Sequence, residues 1–112
     1  MVQQMLADSV IEINAARWMV LHAAWLLDQG DAQAARDAIA MVKVQASETL
    51  GRVVDRAVQI FGGMGYCKDL PVERWYRDAR IYRIFDGTSE IHRGVIARSL
   101  GKRGASVFEL NR

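Results

Sequence analysis

Apolar residues recur at helical spacing from the start of the chain. Leu6, Ile13, Val20 and Leu27 fall seven apart, and Met5, Val10 and Ala24 widen the stripe. A band of this period predicts one long amphipathic helix ending near Leu27. The stretch Asp28-Gln29-Gly30-Asp31 closes it. Gly30 suits the left-handed position after a helix, and Asp31 suits the N-cap of the next. Ala35, Ile39, Val42, Ala46, Val53, Ala57 and Ile60 then advance in steps of three, four and seven. They predict a second helix to about Phe61, antiparallel to the first because the connection is short.

The stretch GGMGYCKDLP, residues 62–71, breaks the pattern. Three glycines in four positions permit positive φ and close approach of the backbone to something else. Pro71 suits the first turn of a third helix running from about Val72 towards Phe85, with Asp69 near its cap. Glu73 favours the positive end of that helix and is spaced to pair with Arg77. Gly87 interrupts again, and Thr88 or Ser89 caps a fourth helix reaching about Leu100. Gly101 and Gly104 end it, and the last residues are expected to fray. No repeat and no useful β-alternation occurs. The expectation is an all-α, four-helix up-and-down bundle over residues 1–101, with a tail at 102–112.

The first helix carries a second apolar face, formed by Ile11, Trp18 and Trp25 with Met19 and Leu26 nearby. A helix apolar over much of its circumference is normally covered on two sides. A second buried surface is therefore expected, made by another chain or a further domain.

Composition narrows the class. The 112 residues suffice for one domain with one modest core, half apolar and a quarter charged. A formal charge of +2 is too small to demand nucleic acid as a partner. Cys67 is the only cysteine, so no intrachain disulfide forms, which suits a reducing compartment. The N-terminus lacks the order of a signal peptide. The most apolar run, residues 15–27, holds Arg17 and His22 and is too short for a bilayer. A cytoplasmic protein without membrane insertion is expected.

Most candidate chemistry falls away on spacing. His22, His92 and Cys67 are scattered, and neither HxxxH nor CxxC occurs, so no metal site is expected. Arg74, Arg77, Arg80 and Arg83 interleave with Trp75, Tyr76 and Tyr82 as in a nucleic-acid face. Glu73 and Asp78 dilute that field, however, and a salt-bridged helix over aromatic packing accounts for it better. QIFGGMG, residues 59–65, is not GxGxxG and follows no strand, which excludes a Rossmann site. Glycines directly after a helix still let backbone N–H groups approach an anion or cofactor.

Asp86 is the awkward residue. Asp-Gly is a common turn dipeptide, and on that ground alone Asp86 is a turn residue. It also follows Ile84 and Phe85, where partial desolvation would suit a general base. Thr88 and Ser89 open a helix whose N-terminus favours phosphate. A base beside such a helix start fits a phosphate-bearing cofactor.

These pieces join in one long motif. QIFGGMGYCKDLPVERWYRDARIYRIFDGTSEIHRGVIAR, residues 59–98, closely resembles the C-terminal signature of acyl-CoA dehydrogenases. MLADSVIEINAAR and DRAVQIFGG match the same domain in order and spacing. The resemblance implies an FAD-dependent enzyme that oxidises the Cα–Cβ bond of an acyl-CoA thioester to a trans-2-enoyl-CoA. A carboxylate removes the pro-R α-proton while the β-hydrogen leaves as hydride to flavin N5. The base is a glutamate in many members, in the motif E-G-T. Here Asp86 takes its place, one methylene shorter, followed by Gly87 beside the acyl thioester and by Thr88.

Gln59, Ile60, Phe61, Gly62 and Gly63 match the segment approaching the ADP part of FAD bound mainly by a neighbouring subunit. Thr88, Ser89 and Glu90 match the segment contacting the FAD of the subunit that bears the base. Glu90 departs from the glutamine or asparagine also found there, and a carboxylate near a pyrophosphate is unfavourable unless it points away. The resemblance starts after the domain's first helix, with its FAD-binding arginine, and the family's N-terminal helical and middle β-domains lie outside it. An excised piece, a short gene product or one part of a split enzyme is implied. Such a chain is expected to self-associate as a dimer or tetramer and not to turn over acyl-CoA alone. The second reading is a helical oligomerisation or interaction module that has lost catalysis.

Overall fold

The structure, a computed structural model, describes residues 1–109. Helix α1 spans Val2–Asp28, α2 Ala32–Phe61, α3 Gly63–Tyr66, α4 Val72–Arg80 and α5 Ser89–Arg103, with 3-10 turns at Ile81–Arg83 and Gly104–Phe108. The described residues contain no strand. The all-α class and the order of the four principal helices follow the sequence pattern.

Local chemistry sets the boundaries. The Asp31 carboxylate accepts the Ala34 N–H at 3.0 Å and starts α2. Gly30, at φ +78°, makes the preceding turn. Thr88 Oγ1 accepts the Ile91 N–H at 3.1 Å and starts α5. Where the structure departs from expectation, the cause is tertiary. Residues 63–66 form a single helical turn folded back on α2. A Cβ on buried Gly65 would lie 2.8 Å from the Val58 carbonyl oxygen, so this contact admits only glycine. Helix α4 stops at Arg80 and tightens into a 3-10 turn instead of running towards Phe85. Its side-chain pair is Arg74–Asp78, at 3.5 Å, rather than Glu73–Arg77.

Helix α5 passes through Gly101 to Arg103. Its last residue pairs with Asp37 of α2, which is 1 % exposed and also accepts the Ser99 hydroxyl at 2.6 Å. The residues beyond it do not fray at once, because Gly104–Phe108 turns back and buries Val107. The tail residues 110–112 lie outside the described residues.

Helix α2 is the hub on which α1, α4 and α5 each pack. Contacts of Glu12 with Arg52 and Arg56 at one end, and of Leu26 and Ala23 with Ala34, Ala35 and Ala38 at the other, set α1 antiparallel to it. Arg93–Glu48 and Ser99–Asp37 set α5 antiparallel along the N-terminal half of α2. Helix α4 lies against the C-terminal half, where Tyr76 and Arg80 face Asp55 across a groove.

The expected core stripe of α1 is not the buried one. Leu6, Ile13, Val20 and Leu27 are all exposed, Leu6 to 54 %. So are Ile11, Trp18 and Trp25, Trp18 to 65 %. The face turned to α2 instead carries Ala16, Ala23 and Leu26, preceded along the helix by Ser9 and Glu12. Small side chains let the two helix axes approach, and Arg56 meets Glu12 through two nitrogens at 2.9 and 3.1 Å. Most large side chains of both apolar faces of α1 are thus left outward, Leu26 being the buried exception.

Candidate functional site

Residues 84–88 form a tight turn between the 3-10 segment and α5. Asp86 has φ +54° and is the only non-glycine with positive φ among the described residues. Gly87 follows at φ +86°. Two successive left-handed residues reverse the chain and turn several carbonyls to one side. Lys43 of α2 meets them there. Its Nζ donates to the carbonyl oxygens of Tyr82 at 2.6 Å, Phe85 at 2.9 Å and Gly87 at 3.3 Å, and lies 5.6 Å from the centre of the Phe85 ring. The remaining carbonyl, that of Asp86, lies 3.2 Å from His92 Nε2. A carbonyl only accepts, so this nitrogen carries the proton and donates. The His92 ring fills the space over Gly87, where a Cβ would lie 2.7 Å from Nε2.

The backbone of Asp86 is therefore fixed while its side chain is exposed. The expected desolvation is not supplied within this chain, since Ile84 and Phe85 are themselves exposed. Behind the turn, Arg93 holds Glu48 at 2.7 Å. The Arg93 hydrogen bond lowers the Glu48 pKa from the usual carboxylate range, and the same bond raises that of Arg93. Ser89 is buried and its hydroxyl has no protein partner, Thr88 spends its hydroxyl on the cap, and Glu90 is exposed.

The second predicted segment lies elsewhere. Gln59, Ile60 and Phe61 are the last residues of α2, and Gly62 ends it at φ +61°. No atom lies within 4 Å of where a side chain on Gly62 or Gly63 would begin, and both are exposed. The φ of Gly63 is not positive, so neither crowding nor backbone in this chain requires glycine there. The result is a bare corner of main chain that a planar or phosphate-bearing group can approach. Gln59 stands sixteen residues beyond Lys43, about 24 Å along α2 at the helical rise. Asp86, Gly87, Thr88, Ser89 and Glu90 are thus brought together, and residues 59–63 are held apart from them.

Between the two levels runs an open groove of about 810 Å³, bordered by Tyr66, Lys68, Tyr76, Arg77, Arg80 and Ile84 among others. None of the predicted site residues lines it. No group of His, Cys, Asp or Glu able to hold a metal ion occurs among the described residues. No helix of the described residues is long and apolar enough to cross a membrane. Sequence reasoning missed Lys43. Its one signal was a lone cation inside the apolar run Met41-Val42-Lys43-Val44.

Among the described residues the domain is strand-free, with a carboxylate on a pinned turn and a bare glycine corner at the end of its central helix. Comparison with known proteins makes the class specific. The family model "Acyl-CoA dehydrogenase, C-terminal domain" matches residues 1–101, and the chain belongs to that family. Cyclohexane-1-carbonyl-CoA dehydrogenase of Geobacter metallireducens is 44% identical over 105 residues, 94% of this chain and 27% of its own length. A glutaryl-coenzyme A dehydrogenase solved in complex with glutaryl-CoA superposes with a TM-score of 0.82 at 32% identity, over 100% of this chain and 27% of that one. PigA, solved with FAD and proline, gives a TM-score of 0.85 at 35% identity, over 92% of this chain and 26% of that one. The chain spans about a quarter of the length of the relatives it matches.

Proposed function

We propose that this domain supplies the base-bearing turn and part of the FAD site of an acyl-CoA dehydrogenase. The carrying observation is Asp86, a carboxylate left exposed on a turn whose backbone is pinned by Lys43 and His92. Gly87 beside it follows at positive φ, with the His92 ring packed where a side chain would be, and its main chain is the part that would lie beside the thioester. Asp86 takes the α-proton of the acyl-CoA onto its carboxylate. Bound FAD supplies the acceptor for the β-hydride, so that the enoyl-CoA leaves two electrons poorer than the substrate.

The residues present fit FAD. Gly62 and Gly63 offer open main chain at the end of α2. The first N–H groups of α5, at Ser89 and Glu90, have no partner within the helix and would serve a phosphate or ribose oxygen. Glu90 is exposed and free to turn away from an anion. Gln59, Ile60, Phe61, Gly62 and Gly63 would serve the cofactor of one copy, and Thr88, Ser89 and Glu90 that of another. The outward apolar faces of α1 support self-association as a dimer or tetramer. A cytoplasmic location accompanies this reading.

The test is Asp86→Asn in an FAD-loaded assembly of this chain with the N-terminal and middle domains of an acyl-CoA dehydrogenase. Removing a general base costs about 10²–10⁴-fold. Enoyl-CoA formation is expected to fall by that factor with the bound flavin unchanged. Turnover undiminished in Asp86→Asn would refute the assignment.

A further inference from the structure

We propose that Lys43 is a positioning residue for Asp86, holding its turn through the charge and three protons of the ammonium group. The inference rests on the reading of Asp86 as the base. An ammonium has three donors and no acceptor, and here it faces three carbonyl oxygens, those of Tyr82, Phe85 and Gly87. Two of them belong to the residues immediately before and after Asp86. The carbonyl between those two, on Asp86 itself, is taken by His92. Every carbonyl from Phe85 to Gly87 is therefore tied, and none of these ties uses the Asp86 carboxylate.

The conformation needs this support. A left-handed non-glycine residue is disfavoured and persists only where its surroundings over-determine it. No cap or ladder hydrogen bond from α5 reaches the carbonyls of Tyr82, Phe85 or Gly87, because α5 starts only at Ser89. Lys43 itself gives up a flexible side chain's rotamer freedom to reach them. The contact spans about forty residues of sequence and fastens the turn to the central helix rather than to its own neighbours. The position of the base is thereby referred to the rigid hub of the fold. Arginine is no substitute, since its planar fork cannot direct three donors to one side of a turn.

Two measurements test this, one on the chain and one on the assembled enzyme. In the 112-residue chain, Lys43→Met keeps the length and apolar stem and removes the donors. Amide hydrogen exchange at residues 84–88 is expected to quicken about tenfold or more, with α1 and the rest of α2 unchanged. In the FAD-loaded assembly the same variant is expected to lower kcat roughly 10–100-fold with KM little moved, as for a displaced catalytic group. Rescue separates the ammonium from the packing of its stem. In a Cys67→Ser background, Lys43→Cys alkylated with 2-bromoethylamine in denaturant and refolded rebuilds the ammonium. The same protein alkylated with 1-bromopropane rebuilds only the stem.

Protection and kcat restored by the aminoethyl group and not by the propyl group would establish the role. This comparison also decides the matter if Lys43→Met fails to fold. Equal behaviour of the two derivatives, or unchanged exchange and kcat in Lys43→Met, would overturn it. Undiminished turnover in Asp86→Asn would instead remove the base reading, leaving the turn's tether to be judged by exchange alone.

Discussion

At the scale of single residues, the turn at 84–88 joins two demands that rarely coincide. Asp86 adopts a backbone conformation suited to glycine, and Gly87 must stay bare because His92 occupies the space of its side chain. Gly87→Ala would set a Cβ 2.7 Å from an imidazole nitrogen at a φ of +86°. A loss of about 1–3 kcal/mol is expected, read as a lower midpoint in urea with an unchanged slope. A midpoint equal to the parent's would mean that the ring swings away freely. Asp86 was legible in the sequence as a turn residue, because Asp-Gly after an apolar run signals one, while its proposed part as a base came from the resemblance of the whole motif. Lys43 was not legible as a partner. A cation forty residues from its acceptors leaves no local pattern, and a lysine in an amphipathic helix ordinarily reads as solvated.

At the scale of elements, what proved readable was local. Asp31, Thr88, Gly30 and Gly62 act within four residues of themselves, so caps and stops could be placed from sequence. Which face of α1 is buried could not. That helix has more than one apolar face, and α2 takes the face of alanines and ion pairs, which hydrophobicity alone ranks last. Its ionic seam gives a pH signature. The Arg56 hydrogen bond, aided by Arg52, holds the Glu12 carboxyl below its ordinary range, although burial opposes this. A carboxylate depressed in the folded state contributes stability that is fully present above its unfolded pKa. That contribution is lost as pH falls through the folded value. Glu12→Gln is therefore expected to lower Tm by a few degrees at neutral pH, the pair being a quarter exposed or less. The difference from the parent should shrink on acidification below the ordinary glutamate range. A difference that stays constant to low pH would assign the effect to packing.

At the scale of the whole molecule, a hub helix with three helices on it forms an elongated body of 49 × 27 × 23 Å. One copy places the two segments proposed for the cofactor at different parts of α2 and turns most large apolar side chains of α1 outward. Both features are resolved together if copies associate. The sequence could show that two apolar faces exist and that two separate segments are candidates for the cofactor. It could not show their separation, which depends on α4 and α5 packing along different halves of α2. The most direct measurement is fluorescence titration of the purified chain with FAD, followed by light scattering on the same samples. The account predicts that FAD binds only where scattering reports a dimer or larger species. Dilution to monomers should release it. Stoichiometric FAD binding by a monodisperse monomer would contradict a cofactor site shared between copies.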